Sequence, residues 1–309
     1  ISSVSGSSAT ESGTQSVTVT ITESSSSPLI YLSASSLGIL EDSGGSIILS
    51  AGSNQVSDQD ITVTLATTGT ATNGTDYSAI NGTTITIAAG TTTGTKTFTP
   101  TDDSVFEDNE TVIVAISSVS GSSATESGTQ SVTVTITEDE SAPTVTLATS
   151  ATSIAENSSA TITLTATASQ ITDEQITVTL ATTGAATSGT DYSAVNGTTI
   201  TIAAGATTGT KTFTITDDSI YEDDETIIVA ISGVSGGGAT ESGAQSVTVT
   251  ITENELAPTV SIASSASSVY DNGSNLTLTA TSTQASDEDI TVVIGTSGTA
   301  TEGTDYANV

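Results

Sequence analysis

The side chains of this sequence that could do chemistry are almost all oxygen acceptors. Asp and Glu number 35 against 2 Lys and no Arg, His, Cys, Met and Trp are absent, and the formal net charge is −33 over 309 residues. Without Cys or His there is no thiolate nucleophile, no Ser-His-acid triad, no disulfide and no zinc site of the usual nitrogen and sulfur kind. What remains is hard-oxygen chemistry, suited to a divalent cation such as calcium, which takes roughly six to eight carboxylate and carbonyl ligands. The carboxylates gather in short groups, among them Asp102-Asp103, Glu107-Asp108-Asn109-Glu110 and Glu138-Asp139-Glu140. An isolated acidic pair also builds ordinary solvent-facing turns, and an acidic surface keeps a chain soluble at high salt. The excess of negative charge excludes nucleic acid and anionic membranes as partners and favours cations. No phosphate loop, histidine base or activated nucleophile is present, and paired carboxylates with few aromatics to bind a sugar ring make a poor glycosidase, so the chain is not expected to be an enzyme.

The elements that must position these carboxylates are strands. Apolar residues are 34% of the chain and fall in short alternating runs such as Ser16–Thr22 and Ile61–Leu65, with β-branched side chains on one face and Thr on the other. No run is long and apolar enough to span a membrane, and none keeps a helical period. The expected fold class is all-β. For a first full unit the pattern predicts seven strands, at Leu29–Ala34, Gly45–Ala51, Asp60–Thr67, Thr83–Ala88, Gly94–Thr99, Glu110–Ser117 and Gln130–Thr137. Counterparts begin near Thr144, Ala160, Gln175, Thr198, Gly209, Glu225 and Gln245. Such strands make a two-sheet antiparallel sandwich, with Phe98, Phe106 and Phe213 as core anchors, Tyr77 and Tyr192 as core or loop-packing residues, and Lys96 and Lys211 as edge-strand charges.

Repetition is the strongest signal. Residues Ile1–Glu23 recur unchanged as Ile116–Glu138 and, with substitutions, as Ile231–Glu253, an offset of 115 residues. Gly74-Thr75-Asp76-Tyr77 returns at Gly189–Tyr192 and Gly303–Tyr306, and the two Lys share one repeat position. A unit of this length is one sandwich domain, not a solenoid coil. The expected division is a final-strand fragment at 1–23, sandwiches at 24–138 and 139–253, and the opening part of a further repeat at 254–309, as in a window on a longer tandem array. Linkers Ser25–Pro28, Glu140–Pro143 and Glu255–Pro258 are short and end in Pro, which restricts articulation.

Gly74-Thr75-Asp76-Tyr77, Thr101–Thr111 and the closing Val134–Asp139, repeated through Asp191-Tyr192, Asp217-Asp218, Tyr221-Glu222, Glu225-Thr226 and Glu253-Asn254, resemble the Calx-beta domain family over essentially the whole chain. The resemblance implies Greek-key, immunoglobulin-like antiparallel β-sandwiches that bind Ca2+ at one end. It implies metal ligands Glu41, Asp76, Asp102, Asp103, Glu107, Glu110, Glu138, Asp139 and Glu140 in the first unit. In the second it implies Glu156, Asp191, Asp217, Asp218, Glu222, Glu225, Glu253, Asn254 and Glu255. The family favours aspartates at the closing position, where this chain has Glu138-Asp139-Glu140, Glu253-Asn254-Glu255 and Glu23-Ser24-Ser25. In the last piece Asp271 replaces the opening glutamate.

The function expected is an extracellular or cell-surface structural protein, a calcium-stiffened row of domains in an adhesin stalk, fibre or surface matrix. Its partners are adjacent repeats of the same chain, a homo-oligomer or fibre, and a surface ligand that the sequence leaves undefined. Two alternatives stay open: a self-assembling filament subunit completed by its neighbours, and a calcium-responsive regulatory or binding module.

Overall fold

A computed structural model describes residues 1–21, 26–270 and 274–307. The expected boundary at 23/24, the Glu23-Ser24-Ser25 position and Asp271 lie outside the described residues. The chain divides into two compact units, the first made of 1–102 and 110–137 and the second of 103–109 and 138–309.

The first unit carries nine strands: β1 (Leu29–Ala34), β2 (Gly38–Leu40), β3 (Ile47–Ser53), β4 (Ile61–Gly69), β5 (Thr84–Ile87), β6 (Thr93–Phe98), β7 (Glu110–Ser120), β8 (Thr125–Glu126) and β9 (Ser131–Thr137). They form a four-stranded sheet β6-β3-β1-β8 and a five-stranded sheet β2-β9-β7-β4-β5. The second unit repeats this with β10 (Thr144–Thr149), β11 (Ser153–Ala155), β12 (Thr161–Ala168), β13 (Ile176–Gly184), β14 (Thr199–Ile202), β15 (Thr208–Thr214), β16 (Glu225–Ser235), β17 (Thr240–Glu241) and β18 (Ser246–Thr252). It adds β19 (Val260–Ser264) and β20 (Leu278–Ser282), a two-stranded ribbon. No strand forms within residues 1–21.

Alternation puts one face of each strand into a core between the sheets. In β13 the order is buried Ile176, Val178 and Leu180 between partly exposed Thr177 and Thr179. Tyr192 and Phe213 meet edge to face in the second core, centroids 5.9 Å apart at 66°, and Tyr77 and Phe98 do so in the first at 5.5 Å and 63°. Lys96 and Lys211 lie on β6 and β15, each the edge of its sheet.

The structure corrects two expectations. Each sandwich has nine strands, not seven, because β2, β8 and their counterparts β11 and β17 are only two or three residues long. At that length alternation leaves no readable period. Phe106 belongs to neither core cluster. Its segment is part of the second unit, where it bridges to Thr172.

Gly184 shows why a side chain is excluded at one crossing. It ends β13 at φ +126°, and a Cβ there would stand 2.1 Å from the Thr226 carbonyl oxygen at the start of β16. Gly184→Ala should therefore destabilise the protein by roughly 1–3 kcal/mol, and Phe213→Ala by roughly 3–5 kcal/mol through the cavity it leaves. Urea unfolding of the full chain checks both.

Candidate metal centre

Most strand pairs in the second unit are antiparallel, but β10 runs parallel to β17 and β11 to β18, the latter with Ser153, Ile154 and Ala155 opposite Thr250, Ile251 and Thr252. Parallel strands end at the same pole. The residues that follow, Glu156 and Glu253, are therefore brought together although 97 residues apart in sequence. Strand β16 lies antiparallel on the other side of β18, Glu225 facing Ile251, so its first residue reaches the same pole. The loop carrying Asp191 is held there by bridges from Tyr192 to Ser188 and Ile215.

Two acidic groups result. In one, Glu156, Glu253 and Glu255 each present a carboxylate oxygen, all within 4.8 Å of one another. Glu156 opens a single 3-10 turn and is buried, and it accepts the Asp218 N–H at 3.3 Å. Glu253 accepts the N–H groups of Glu222, Asn254 and Glu255, the last two at 2.6 Å. Asn254 closes the loop from its other side, its Oδ1 accepting the Asn157 N–H at 3.1 Å. In the second group Asp191, Glu222 and Glu225 meet within the same 4.8 Å, Asp191 being buried and accepting the Thr187 N–H. The groups are neighbours, since Glu222 gives its backbone to the first and its carboxylate to the second.

The electrostatics are those of crowded acids. Burial pushes the Glu156 carboxyl up to about 7 against the Asp218 N–H, with the charges of Glu253, Glu255 and Asp218 adding to the rise. Burial also lifts Glu225 to about 7, helped by a hydrogen bond shared with Asp191 and by the charges of Asp191, Glu222 and Asp287. Glu222 is raised by burial and then by Asp191. Glu255 is raised by the hydrogen bond it shares with Glu253. Glu253 itself is held low, because its N–H donors and that hydrogen bond outweigh its burial. One contribution was not foreseen in the sequence: Asp287, about sixty residues further along the chain, faces Glu222 and Glu225.

Of the residues implied for the second unit, the structure gathers Glu156, Asp191, Glu222, Glu225, Glu253 and Glu255. Asp218 lies beside them, but its carboxylate folds back onto the Ile220 N–H at 2.7 Å, and Asp217 acts on Glu255 through its charge. The remaining implied ligands divide between the units. Glu41, buried in its own 3-10 turn, and Asp76, Glu110 and the exposed Asp102 are in the first. There Asp76 and Glu110 present oxygens within 4.8 Å of each other, and Asp76 accepts the Thr72 N–H. Asp103, Glu107, Glu138, Asp139 and Glu140 are in the second unit. Asp103 turns back onto the Val105 N–H at 2.7 Å, as Asp218 does onto Ile220. Glu138 accepts the N–H groups of Glu107 at 2.6 Å, Asp139 at 3.0 Å and Glu140 at 2.8 Å. The hydrogen bond to Glu138 raises Glu140 to about 7.

Oxygens without partners identify what the donor set suits. Among the described residues, Oε2 of Glu140, Glu225 and Glu255 is buried with no hydrogen-bond partner. A buried unsatisfied acceptor costs about 1–3 kcal/mol, more when charged. A hard cation removes that cost and the repulsion among the acids together. The all-oxygen donor set fits calcium, which Glu156, Glu253 and Glu255 would hold on one side and Asp191, Glu222 and Glu225 on the other.

Proton binding gives the expected outcome in the absence of metal. Glu156 and Glu225 titrate near 7 in the folded chain against 4.5 ordinarily, so the folded state holds the extra protons. The stability they contribute is fully present below about pH 4.5 and is lost as pH rises through about 7. Melting temperature in a chelator should fall between about pH 5 and pH 8, and calcium should bind more tightly over the same rise. Glu156→Gln and Glu225→Gln should raise the metal-free melting temperature at about pH 8 while weakening calcium uptake, read by thermal scans and by calorimetry.

Among solved structures the chain is similar to CBD12 from CALX1.2, with 16% identity over 72% of this chain and 99% of that one, TM-score 0.34. It is similar to apo-form Calx CBD1, with 20% identity over 36% and 99% and TM-score 0.30. It is also similar to the Yersinia pseudotuberculosis adhesin InvE, with 15% identity over 72% and 58% and TM-score 0.31. A search of curated proteins finds no match. The Calx-beta domain family profile matches residues 24–140 and 138–255. With two tandem matches over most of its length, this chain belongs to the Calx-beta domain family.

Proposed function

We propose that this chain is a calcium-binding section of an extracellular structural protein, in which bound cations stiffen a row of sandwich repeats in an adhesin stalk, fibre or surface matrix. The observation that carries the reading is the set of partnerless buried oxygens, Glu140 Oε2, Glu225 Oε2 and Glu255 Oε2, within the acidic loops. Sequence position supports the mechanical role. Glu253-Asn254-Glu255 runs directly into Leu256-Ala257-Pro258. A cation gripping Glu253 and Glu255 against Glu156 would fix the end of β18 and the first residues of the linker to one body. Near-identical repeats without Cys suit length and reach outside the cell better than catalysis or redox chemistry.

Calcium at about a hundred times its Kd adds about 2.7 kcal/mol per site, by mass action on the folded state alone. Titrating the metal-stripped full chain should show saturable uptake, a higher melting temperature, and a longer, less variable particle by solution scattering. Uptake without a change in dimensions would leave a calcium-binding module and sink the stiffening role. No uptake at millimolar calcium would sink both.

A further inference from the structure

The second unit makes one kind of contact twice. At Phe106 the backbone N–H donates to the Ile171 carbonyl at 2.9 Å, and the Phe106 carbonyl accepts the Asp173 N–H at 3.4 Å. At Tyr221, 115 residues on, the N–H donates to Ala285 O at 3.1 Å and the carbonyl accepts the Asp287 N–H at 3.3 Å. In both, an aromatic residue in an acidic loop enters a short parallel bridge, Phe106 to Thr172 and Tyr221 to Ser286.

The receiving surface is built the same way each time. A glutamine, Gln170 or Gln284, donates its side-chain N–H to a linker carbonyl, of Ser141 or Leu256. At the first contact Thr172 is buried and turns its hydroxyl onto the Glu174 carbonyl. Gly238 lies so close that a Cβ there would stand 2.6 Å from the Phe106 ring.

The first unit carries the same surface, and among the described residues no loop is hydrogen-bonded to it as Phe106 is to its own. Gln55 donates to the Ser26 carbonyl, and Ser57 turns its hydroxyl onto Gln59 O at 2.6 Å. Among the described residues no hydrogen bond is made to the Val56 carbonyl or by the Asp58 N–H, the counterparts of the Ile171 and Asp173 groups that hold Phe106. Val56 is 62% exposed. Ser26–Pro28, Gln55–Asp58 and Ser122–Ser123 enclose a groove of about 510 Å³.

We infer that this groove is a docking site for the acidic aromatic loop of another Calx-beta repeat, a segment of the type Asp-Asp-Ser-Val-Phe-Glu-Asp, bound through the Val56 carbonyl and the Asp58 N–H with its ring beside Ser123. Continuity with the two filled surfaces carries the assignment: one hydrogen-bonding frame, at one repeat position, twice engaged and, among the described residues, once open. Val56, Ser57 and Ser122 replace Ile171, Thr172 and Gly237 of the filled site, and one further change meets the ring directly. Ser123 stands where the second unit has Gly238, so the incoming ring must tilt away from its Cβ. The contact uses no metal and stands or falls independently of the calcium reading.

The test uses the full chain at about 0.15 M salt, which screens charges beyond about 8 Å, and a fluorescent synthetic peptide with the sequence of residues 100–110. Polarisation should report saturable binding, reduced at least several-fold when the peptide's Phe is replaced by Ala and tightened several-fold in Ser123→Gly. A second peptide with a photoreactive phenylalanine at the ring position should crosslink to Val56–Asp58 and Ser122–Ser123, mapped by mass spectrometry. No binding at millimolar peptide, equal binding of the Ala peptide, no tightening in Ser123→Gly, or crosslinks confined to Ile171–Asp173 would each overturn the inference.

Discussion

A short parallel pairing, one of two in a mainly antiparallel sandwich, governs the acidic pole. Because β11 runs in the same direction as β18, the chain leaves both strands at one end, and each continues with a carboxylate. Antiparallel neighbours would have sent Glu156 and Glu253 to opposite poles. The start of β16 then completes the arrangement, since a strand antiparallel to β18 begins where β18 ends.

The cost of that geometry is electrostatic. Three carboxylates within 4.8 Å cannot all stay ionised in a half-buried loop, so the metal-free pole takes up protons, as the raised Glu156 and Glu225 show. The same loops spend many backbone N–H groups on a few acceptors, above all Glu253 and its counterpart Glu138. Those donors hold the carboxyls of both below the ordinary value, against their burial, while Glu140 and Glu255 beside them are raised.

Packing and charge also meet at the aromatic loop. The segment that supplies the Glu222 carboxylate holds Tyr221 in its bridge, and Asp287, which donates to the Tyr221 carbonyl, adds its charge to Glu222 and Glu225. The bridge at Tyr221 and the second acidic group therefore draw on the same loop residues. Phe106 is expected in a core as a large apolar side chain, whereas its backbone partners, Ile171 and Asp173, lie beyond the next linker.

The sequence by itself determined the all-β class, the repeat, the core positions of Phe98 and Phe213, and the edge positions of Lys96 and Lys211. Each follows from local alternation or from self-similarity, which survive in one dimension. It also named Glu156, Asp191, Glu222, Glu225, Glu253 and Glu255, through the family pattern and not through spacing. Tertiary structure alone decided how they divide into two groups, that Asp218 turns away onto its own loop, that Asp287 faces the second group, and that Oε2 of Glu225 and Glu255 is left without a partner. Strands of two or three residues have no readable period, and it is one of these, β11, whose direction sets the pole; a parallel pairing across about a hundred residues leaves no mark on the local pattern of either strand.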